Sequence, residues 1–361
     1  MADKTKIEWT DATWNPITGC SVKSPGCTNC YAMKLAGTRL APHESRAGLT
    51  IDSKAGPVWT GEVRFNKQWL DQPLRWKKHR MIFVCAHGDL FHENVPDEWI
   101  DRVFAVMAIC PQHTFQVLTK RADRMQKYCD RLRRGFGTAK VAHAISELGF
   151  RGASVDFIHR HVKIGHLPNV WLGVSVEDQM RADERIPDLL ATPAALRWLS
   201  CEPLLGPVNL EEAWHGESAL DSECWGDCAW CENGHPPLHN CSAGRQSESD
   251  LLKGRSGIDW IVCGGESGQG ARPMHPDWAR SLRDQCEAAG VPFHFKQWGQ
   301  WSPDFEDSDI RWVRQWVLPP DALKLDGGPR DIGGCLMAKV GKARAGRLLD
   351  GVQHDGVPID A

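Results

Sequence analysis

The chain has 361 residues, of which 42% are apolar and 25% are charged, and its formal net charge is -3. This balance excludes an intrinsically disordered or collagen-like chain and is typical of a globular protein with one large core or two smaller ones. Residues 1–10 lack the apolar stretch of a secretory signal, and no run approaches the roughly 18 apolar residues of a membrane-spanning helix. We therefore expect a soluble, cytoplasmic protein without a membrane partner.

Short runs rich in β-branched and aromatic residues alternate with amphipathic stretches, a pattern typical of βα units around a parallel sheet. The predicted strands are Thr13–Thr18, Met81–Ala86, Thr114–Leu118, Val170–Val174, Leu196–Ser200, Asp259–Cys263 and Pro292–Lys296. The predicted helices are Asp97–Ile109, Ala122–Arg133, Gln179–Ala191 and His275–Ala289. Six or seven such units predict an α/β fold with a partial or complete (β/α) barrel, and a doubly wound open sheet is the alternative.

Two stretches interrupt this alternation and indicate insertions. Residues 134–168 are predicted to form an additional helical segment. Residues 211–257 are polar, rich in glycine and cysteine, and too long for an ordinary connection, which indicates an inserted subdomain. The barrel domain would then comprise residues 1–210 and 258–361, with a first cysteine loop at residues 19–31.

The first cysteine cluster follows the first predicted strand. Cys20, Cys27 and Cys30 are spaced C-x6-C-x2-C, and no cysteine or histidine occurs in the ten residues after Cys30. A structural zinc site normally has four protein ligands, whereas three cysteines that hold a [4Fe–4S] cluster leave one iron open to a small molecule. The spacing therefore favours an open iron–sulfur cluster, and a zinc site completed by a distant His43 or His92 is the alternative.

The second cysteine cluster lies inside the 211–257 insertion. Its cysteines are Cys224, Cys228, Cys231 and Cys241. With two histidines among them, they predict a closed tetrahedral zinc site that stabilises a subdomain too small for its own core. An auxiliary iron–sulfur cluster is the alternative, because ligand type alone does not separate the two metals.

Most of the remaining cysteines and tryptophans fall in apolar, periodic segments. The cysteines predicted to be inert core residues are Cys85, Cys110, Cys201, Cys263 and Cys286. The chain has 17 tryptophans against two tyrosines, and although indole rings can stack on nucleic-acid bases, we expect most of them in the core.

Three cysteines after the first strand of a barrel, followed by an aromatic residue, resemble the radical S-adenosylmethionine enzymes, in which the usual spacing is C-x3-C-x2-C. Over residues 6 to about 358, apart from the insertions, the chain is also similar to a bacteriophage family, the phage gp-thirty-seven/gp-sixty-eight family, which is widespread in prophages. The segments that carry this similarity are Lys6–Pro16, Gly88–His92, Leu118–Arg121, Trp171–Ser175, Glu202–Pro207 and Gly264–Gly268.

The radical-enzyme resemblance implies a [4Fe–4S] cluster on Cys20, Cys27 and Cys30 whose open iron chelates S-adenosylmethionine. It further implies that Tyr31 covers this cofactor. Contacts with the cofactor are then expected from polar residues that follow the strands, namely Asp89, Ser175, Glu177, Glu202 and Glu266. Lys120 and Arg121 directly follow another strand, where two cations could bind a phosphate or a carboxylate of the substrate.

The resulting hypothesis is a radical S-adenosylmethionine-like phage or prophage enzyme that acts on nucleic acid or a nucleotide. The alternative is a non-catalytic zinc-binding protein that binds nucleic acid, or a phage or host protein. Two basic stretches, residues 75–80 and Lys339–Arg347, are candidate nucleic-acid surfaces or simply solvated faces.

Overall fold

The fold is built on one parallel sheet with short antiparallel additions. The computed structural model describes residues 5, 7–134, 138–149, 166–211, 218–220, 257–305, 313–320 and 328–358. Its strands are β1 Ala12–Trp14, β2 Ile17–Thr18, β3 Thr50–Ser53, β4 Gly56–Trp59, β5 Arg64–Phe65, β6 Met81–Val84, β7 Thr114–Thr119, β8 Val170–Ser175, β9 Leu196–Cys201, β10 Trp260–Gly264, β11 Phe293–Gln297, β12 Trp301–Ser302, β13 Arg314–Val317, β14 Cys335–Lys339, β15 Leu348–Leu349 and β16 Val352–Gln353.

Seven strands form the main sheet in the order β1-β6-β7-β8-β9-β10-β11, and every neighbouring pair is parallel. A doubly wound sheet reverses its strand order at a switch point, whereas here the spatial order follows the chain order throughout. The sheet curls into a half-barrel. The prediction of a partial (β/α) barrel is therefore confirmed at this level, and the doubly wound alternative is wrong.

The helices of the described residues are α1 Tyr31–Gly37, α2 Asp97–Ala108, α3 Ala122–Arg133, α4 Thr138–Glu147, α5 Gln179–Leu190, α6 Pro276–Ala288 and α7 Lys342–Ala345. The four predicted helices are confirmed with ends that agree within one residue. Local chemistry explains two of the starts: Asp178 accepts a hydrogen bond from the Arg181 amide at 3.1 Å, and Pro276 occupies the first turn of α6. No helix in the described part of the chain is long and apolar enough to cross a membrane.

The strands of the main sheet are buried on both faces. Residues such as Leu172, Leu199 and Ile261 belong to the large core cluster that also contains the buried faces of the helices. The alternate residues form a second cluster in which Trp9, Trp171, Trp198 and Trp260 pack edge to face or tilted against one another. The prediction that tryptophans fill the core is thus confirmed for this set, and the five cysteines predicted as core residues are buried.

One glycine allows this aromatic packing. A Cβ atom on Gly173 in β8 would lie 2.5 Å from Nε1 of Trp198. We expect Gly173→Ala to lower the free energy of unfolding by about 1–3 kcal/mol, because overpacking forces a buried side chain from its position. Gly206→Ala is the control, since its Cβ would lie 3.4 Å from Asp178, an ordinary contact. Urea midpoints measure the effect, and an unchanged midpoint for Gly173→Ala would contradict this account.

The predicted insertions are described only in part. Helix α4 lies in the 134–168 segment and joins α2 through an ion pair in which Arg102 Nη2 is 3.2 Å from Glu147 Oε2. Residues 150–165 and most of the 211–257 segment lie outside the described residues. So do Cys224, Cys228, Cys231 and Cys241, and their zinc site stays a prediction.

Candidate functional site

A cavity of about 580 Å³ opens at the carboxyl ends of the parallel strands. This is the edge where (β/α) barrels carry their active sites, and the volume lies within the usual range for small-molecule pockets. The predicted site residues that line it are Cys20, Cys27, Cys30, Tyr31, Asp89, Lys120, Arg121, Ser175, Glu202 and Glu266. Glu177 is completely buried beside the cysteine loop and does not line the cavity.

The cysteine loop has a defined local structure. A single 3-10 turn, Pro25–Cys27, places Cys27 at its end, and Cys30 directly precedes helix α1. The Lys23 amide donates a hydrogen bond to Cys27 Sγ at 3.5 Å. All ten cysteines of the described residues are free thiols. The loop therefore presents three unbridged sulfur atoms to one cavity.

The surroundings of two of these thiols disfavour a free thiolate. Burial raises the pKa of Cys20 to about 12, with the Asp89 carboxylate acting in the same direction and Arg121 against it. Burial also raises the pKa of Cys30. Both thiols are therefore protonated at neutral pH in the metal-free chain, and a bound metal has to displace these protons.

Glu177 anchors the cysteine loop. Its carboxylate accepts a hydrogen bond from Ser24 Oγ at 2.8 Å and forms ion pairs with Lys120 and, at 3.1 Å, with Nη1 of Arg185. A Cβ on Gly26 would lie 2.4 Å from Glu177 Oε1, so only glycine fits there. Burial alone would raise the pKa of Glu177, but Lys120 and Arg185 hold it below its usual value. These contacts of Glu177 hold the cysteine loop in place.

Glu266 holds the other side of the loop. Its Oε2 accepts hydrogen bonds from Asn29 Nδ2 and from the Arg272 backbone amide and Nε, each at 2.9 Å. Arg272 Nη2 reaches both Glu266 Oε1, at 2.7 Å, and the Pro25 carbonyl, at 3.0 Å. Glu266 therefore lines the cavity and also fixes the segment between Cys27 and Cys30.

Asp89 and Arg121 form a third buried connection to the loop. Asp89 Oδ1 accepts hydrogen bonds from Thr119 Oγ1 at 2.7 Å and from the Phe91 amide at 2.9 Å. Arg121 Nη1 lies 3.2 Å from Asp89 Oδ2 and 3.5 Å from Cys20 Sγ. Arg121, predicted as a substrate contact, is only 2% exposed and faces the cysteine loop.

One part of the cavity wall is polar. Both carboxylate oxygens of Glu202 lie 2.8 Å from Lys296 Nζ, and Gln297 Nε2 donates to Glu202 Oε1 at 3.2 Å. Ser175 also lines the cavity, and half-exposed Tyr31 donates its hydroxyl proton to the Ala86 carbonyl at 2.6 Å. Burial lowers the pKa of His87, another lining residue, to about 4, so this imidazole is neutral at neutral pH.

The described residues contain no group of three or more His, Cys, Asp or Glu side chains that could hold a metal ion together. The histidines considered for a zinc site bond elsewhere: His43 Nδ1 lies 2.7 Å from Ser45 Oγ, and His92 Nε2 lies 2.9 Å from Ser21 Oγ. A [4Fe–4S] cluster binds each thiolate to a different iron and so separates its ligands more widely than one ion does. The three cysteines that line the cavity match that donor set in residue type and number.

Sequence reasoning missed the side chains that hold the loop. Ser24 and Asn29 contact Glu177 and Glu266, which lie 153 and 237 residues away in the chain, so local patterns do not reveal these contacts. Arg272 likewise reaches the Pro25 carbonyl, 247 residues away. Arg185 lies only eight residues from Glu177. It also missed the β3–β4 hairpin, whose Trp59 packs with helix α1 against Cys20 and Cys30. A local signal for this hairpin is Gly56, the first residue of β4, which has a positive φ directly after the two-residue turn.

The two basic stretches have different positions. Residues 75–80 precede β6 and thus lie at the amino ends of the parallel strands, away from the cavity; within them Arg75 pairs with Asp71 and Trp76 is buried. In the second stretch, Lys342 lines the cavity and lies 3.9 Å from Glu8. Only the second stretch is therefore placed to meet a ligand that enters the cavity.

Residues 4–358 match the family described as a protein of unknown function, DUF5131. Because this match spans nearly the whole chain, the chain belongs to the DUF5131 family. No curated protein matches the chain, and no solved structure matches it.

Proposed function

We propose that this DUF5131 protein is an iron–sulfur enzyme of the radical S-adenosylmethionine type. One observation carries the proposal: three free thiols on a single loop line a cavity of about 580 Å³ at the carboxyl edge of a parallel half-barrel. Cys20, Cys27 and Cys30 would hold a [4Fe–4S] cluster, and the fourth iron would be open to S-adenosylmethionine. When bound, this pair would supply one-electron cleavage of the C5′–S bond of S-adenosylmethionine into methionine and a 5′-deoxyadenosyl radical, with the electron coming from an external one-electron reductant.

The protein residues would position the reactants and exclude water. Glu177 holds Ser24 and Glu266 holds Asn29, so the segment that carries Cys27 and Cys30 is fixed in place. Trp9 and Phe83 line the apolar part of the cavity and lie 5.0 Å apart between ring centroids. Apolar side chains at this position would help to exclude water and so protect a reactive radical from side reactions.

The polar part of the cavity wall suits a substrate or cofactor that has many hydrogen-bonding groups. Ser175, Glu202 and Gln297 present hydroxyl, carboxylate and amide groups to the cavity, and Lys342 adds a cation. We propose a nucleotide or nucleic acid as the substrate, because cations favour phosphate groups and this wall suits a sugar or base edge.

Anaerobic purification and reconstitution with iron and sulfide tests the proposal. We expect about four iron atoms per chain at the three-cysteine site, with visible iron–sulfur absorption, and 5′-deoxyadenosine after addition of S-adenosylmethionine and dithionite. The zinc-binding alternative predicts a colourless protein that carries zinc and cleaves no cofactor. A brown cluster that never changes its spectrum when S-adenosylmethionine is added would contradict the enzymatic part of the proposal.

A further inference from the structure

Arg121 is a buried cation whose contacts point to a role beyond packing. Its Nη1 bridges two groups, with Cys20 Sγ at 3.5 Å and Asp89 Oδ2 at 3.2 Å. Its Nη2 donates to Ser21 Oγ at 2.6 Å, and its Nε donates to Glu93 at 3.2 Å. Because guanidinium is always protonated in proteins, a positive charge stands beside the first cysteine of the loop.

Both members of the Asp89–Arg121 pair are held in place. Asp89 is 5% exposed and accepts hydrogen bonds from Thr119 Oγ1, at 2.7 Å, and from the Lys120 amide, at 3.2 Å. Arg121 immediately precedes helix α3, and its own amide donates to Thr119 Oγ1 at 2.9 Å. The carboxylate and the guanidinium are therefore fixed charges of opposite sign. Arg121 contacts Cys20 Sγ directly, and Asp89 is connected to this sulfur through Arg121.

Fixed charges and hydrogen bonds near a cluster sulfur change the reduction potential of the cluster. Reduction adds one negative charge, so a nearby cation stabilises the reduced form and a nearby carboxylate destabilises it. Both effects are larger in a buried site than in water, because the effective dielectric constant is lower. Arg121 would therefore raise the reduction potential of a cluster bound through Cys20, and Asp89 would lower it.

We propose that the Asp89–Arg121 pair sets the reduction potential of an iron–sulfur cluster bound through Cys20. Within the pair, Arg121 is the positioning residue, and its charge raises this potential. This inference rests on the proposed function. In the test, the electron comes from dithionite, which is oxidised as the cluster is reduced. The pair takes no part in the chemistry of the substrate.

Redox titration of the reconstituted cluster, followed by electron paramagnetic resonance, tests this inference. Arg121→Gln should lower the ratio of reduced to oxidised cluster at least tenfold at a fixed applied potential, which corresponds to about 59 mV for one electron. Arg121→Lys keeps the charge and should give a smaller shift. Asp89→Asn is nearly isosteric and keeps one acceptor oxygen for Thr119 and the Phe91 amide, while an amide nitrogen replaces the oxygen that Arg121 contacts. Because the negative charge is lost, the ratio should shift upwards, so this variant also tests the inference if Arg121→Gln does not fold.

Arg124→Gln is the matched control, because Arg124 lies in α3, contacts the carbonyls of His92 and Val95, and makes no contact with the cysteine loop among the described residues. It should leave the potential unchanged. Loaded clusters with wild-type potential in both Arg121→Gln and Asp89→Asn, or shifts of the same sign in both, would overturn this inference alone. A wild-type chain that binds no iron–sulfur cluster would overturn the proposed function and this inference with it.

Discussion

Replacement of Cys27 by alanine is expected to abolish both cluster binding and the formation of 5′-deoxyadenosine. Cys27 is 8% exposed and its sulfur is held between the Lys23 amide, at 3.5 Å, and Ser24 Oγ, at 3.9 Å. A site with three cysteines has no spare ligand, so two thiolates would not retain the cluster. Iron should fall from about four atoms per chain to near zero after identical anaerobic reconstitution.

Cys110→Ala is the control for this experiment. Cys110 is also buried, two residues after the end of helix α2, and it does not line the cavity. Its removal deletes one sulfur atom from the core and should leave the iron content and the visible absorption as in the wild type. If Cys27→Ala keeps its iron, or if both variants lose it equally, the three-cysteine site is not where the cluster binds.

Much of the architecture could be predicted because the parallel strands are buried on both faces and read as short apolar runs. Six of the seven predicted strands match an observed strand within two residues at each end. The exception, Thr13–Thr18, is split into β1 and β2 around Asn15 and Pro16, because proline cannot donate a hydrogen bond to a strand ladder. Strand β6 ends at Val84 because Cys85 adopts a positive φ and turns the chain.

The site was predictable in location and less so in the roles of its residues. Polar residues that follow parallel strands meet at one edge of the sheet, which is why Asp89, Ser175, Glu202 and Glu266 surround a single cavity. Which of them face a ligand depends on partners that are distant in the chain. Glu177 illustrates this limit: its neighbours Ser24 and Arg185 bury it completely as an ion-paired anchor.

Glu177→Gln is expected to lower the free energy of unfolding by about 3–5 kcal/mol, since it leaves buried cations without their counter-charge. Arg185 is 1% exposed and cannot recover hydration, whereas Lys120 lines the cavity with an 18% exposed side chain and recovers part of it. Glu184→Gln is the matched control: Glu184 is half exposed, lies 3.7 Å from Arg185 Nε, and should contribute only about 0–1 kcal/mol. Chemical unfolding at neutral pH measures both variants, and equal losses would contradict the anchoring role.

The pH dependence of this loss follows from the direction of the pKa shift. Although burial opposes it, Lys120 and Arg185 hold the pKa of Glu177 below its usual value in the folded chain. Its stabilising contribution is therefore complete above the ordinary carboxylate pKa and is lost as the pH falls through the lower, folded value. The difference between wild type and Glu177→Gln should shrink towards acidic pH, because protonation then removes the same charge from the wild type. A gap that stays constant from neutral pH to full protonation would mean that the lost stability comes from packing rather than from the charge.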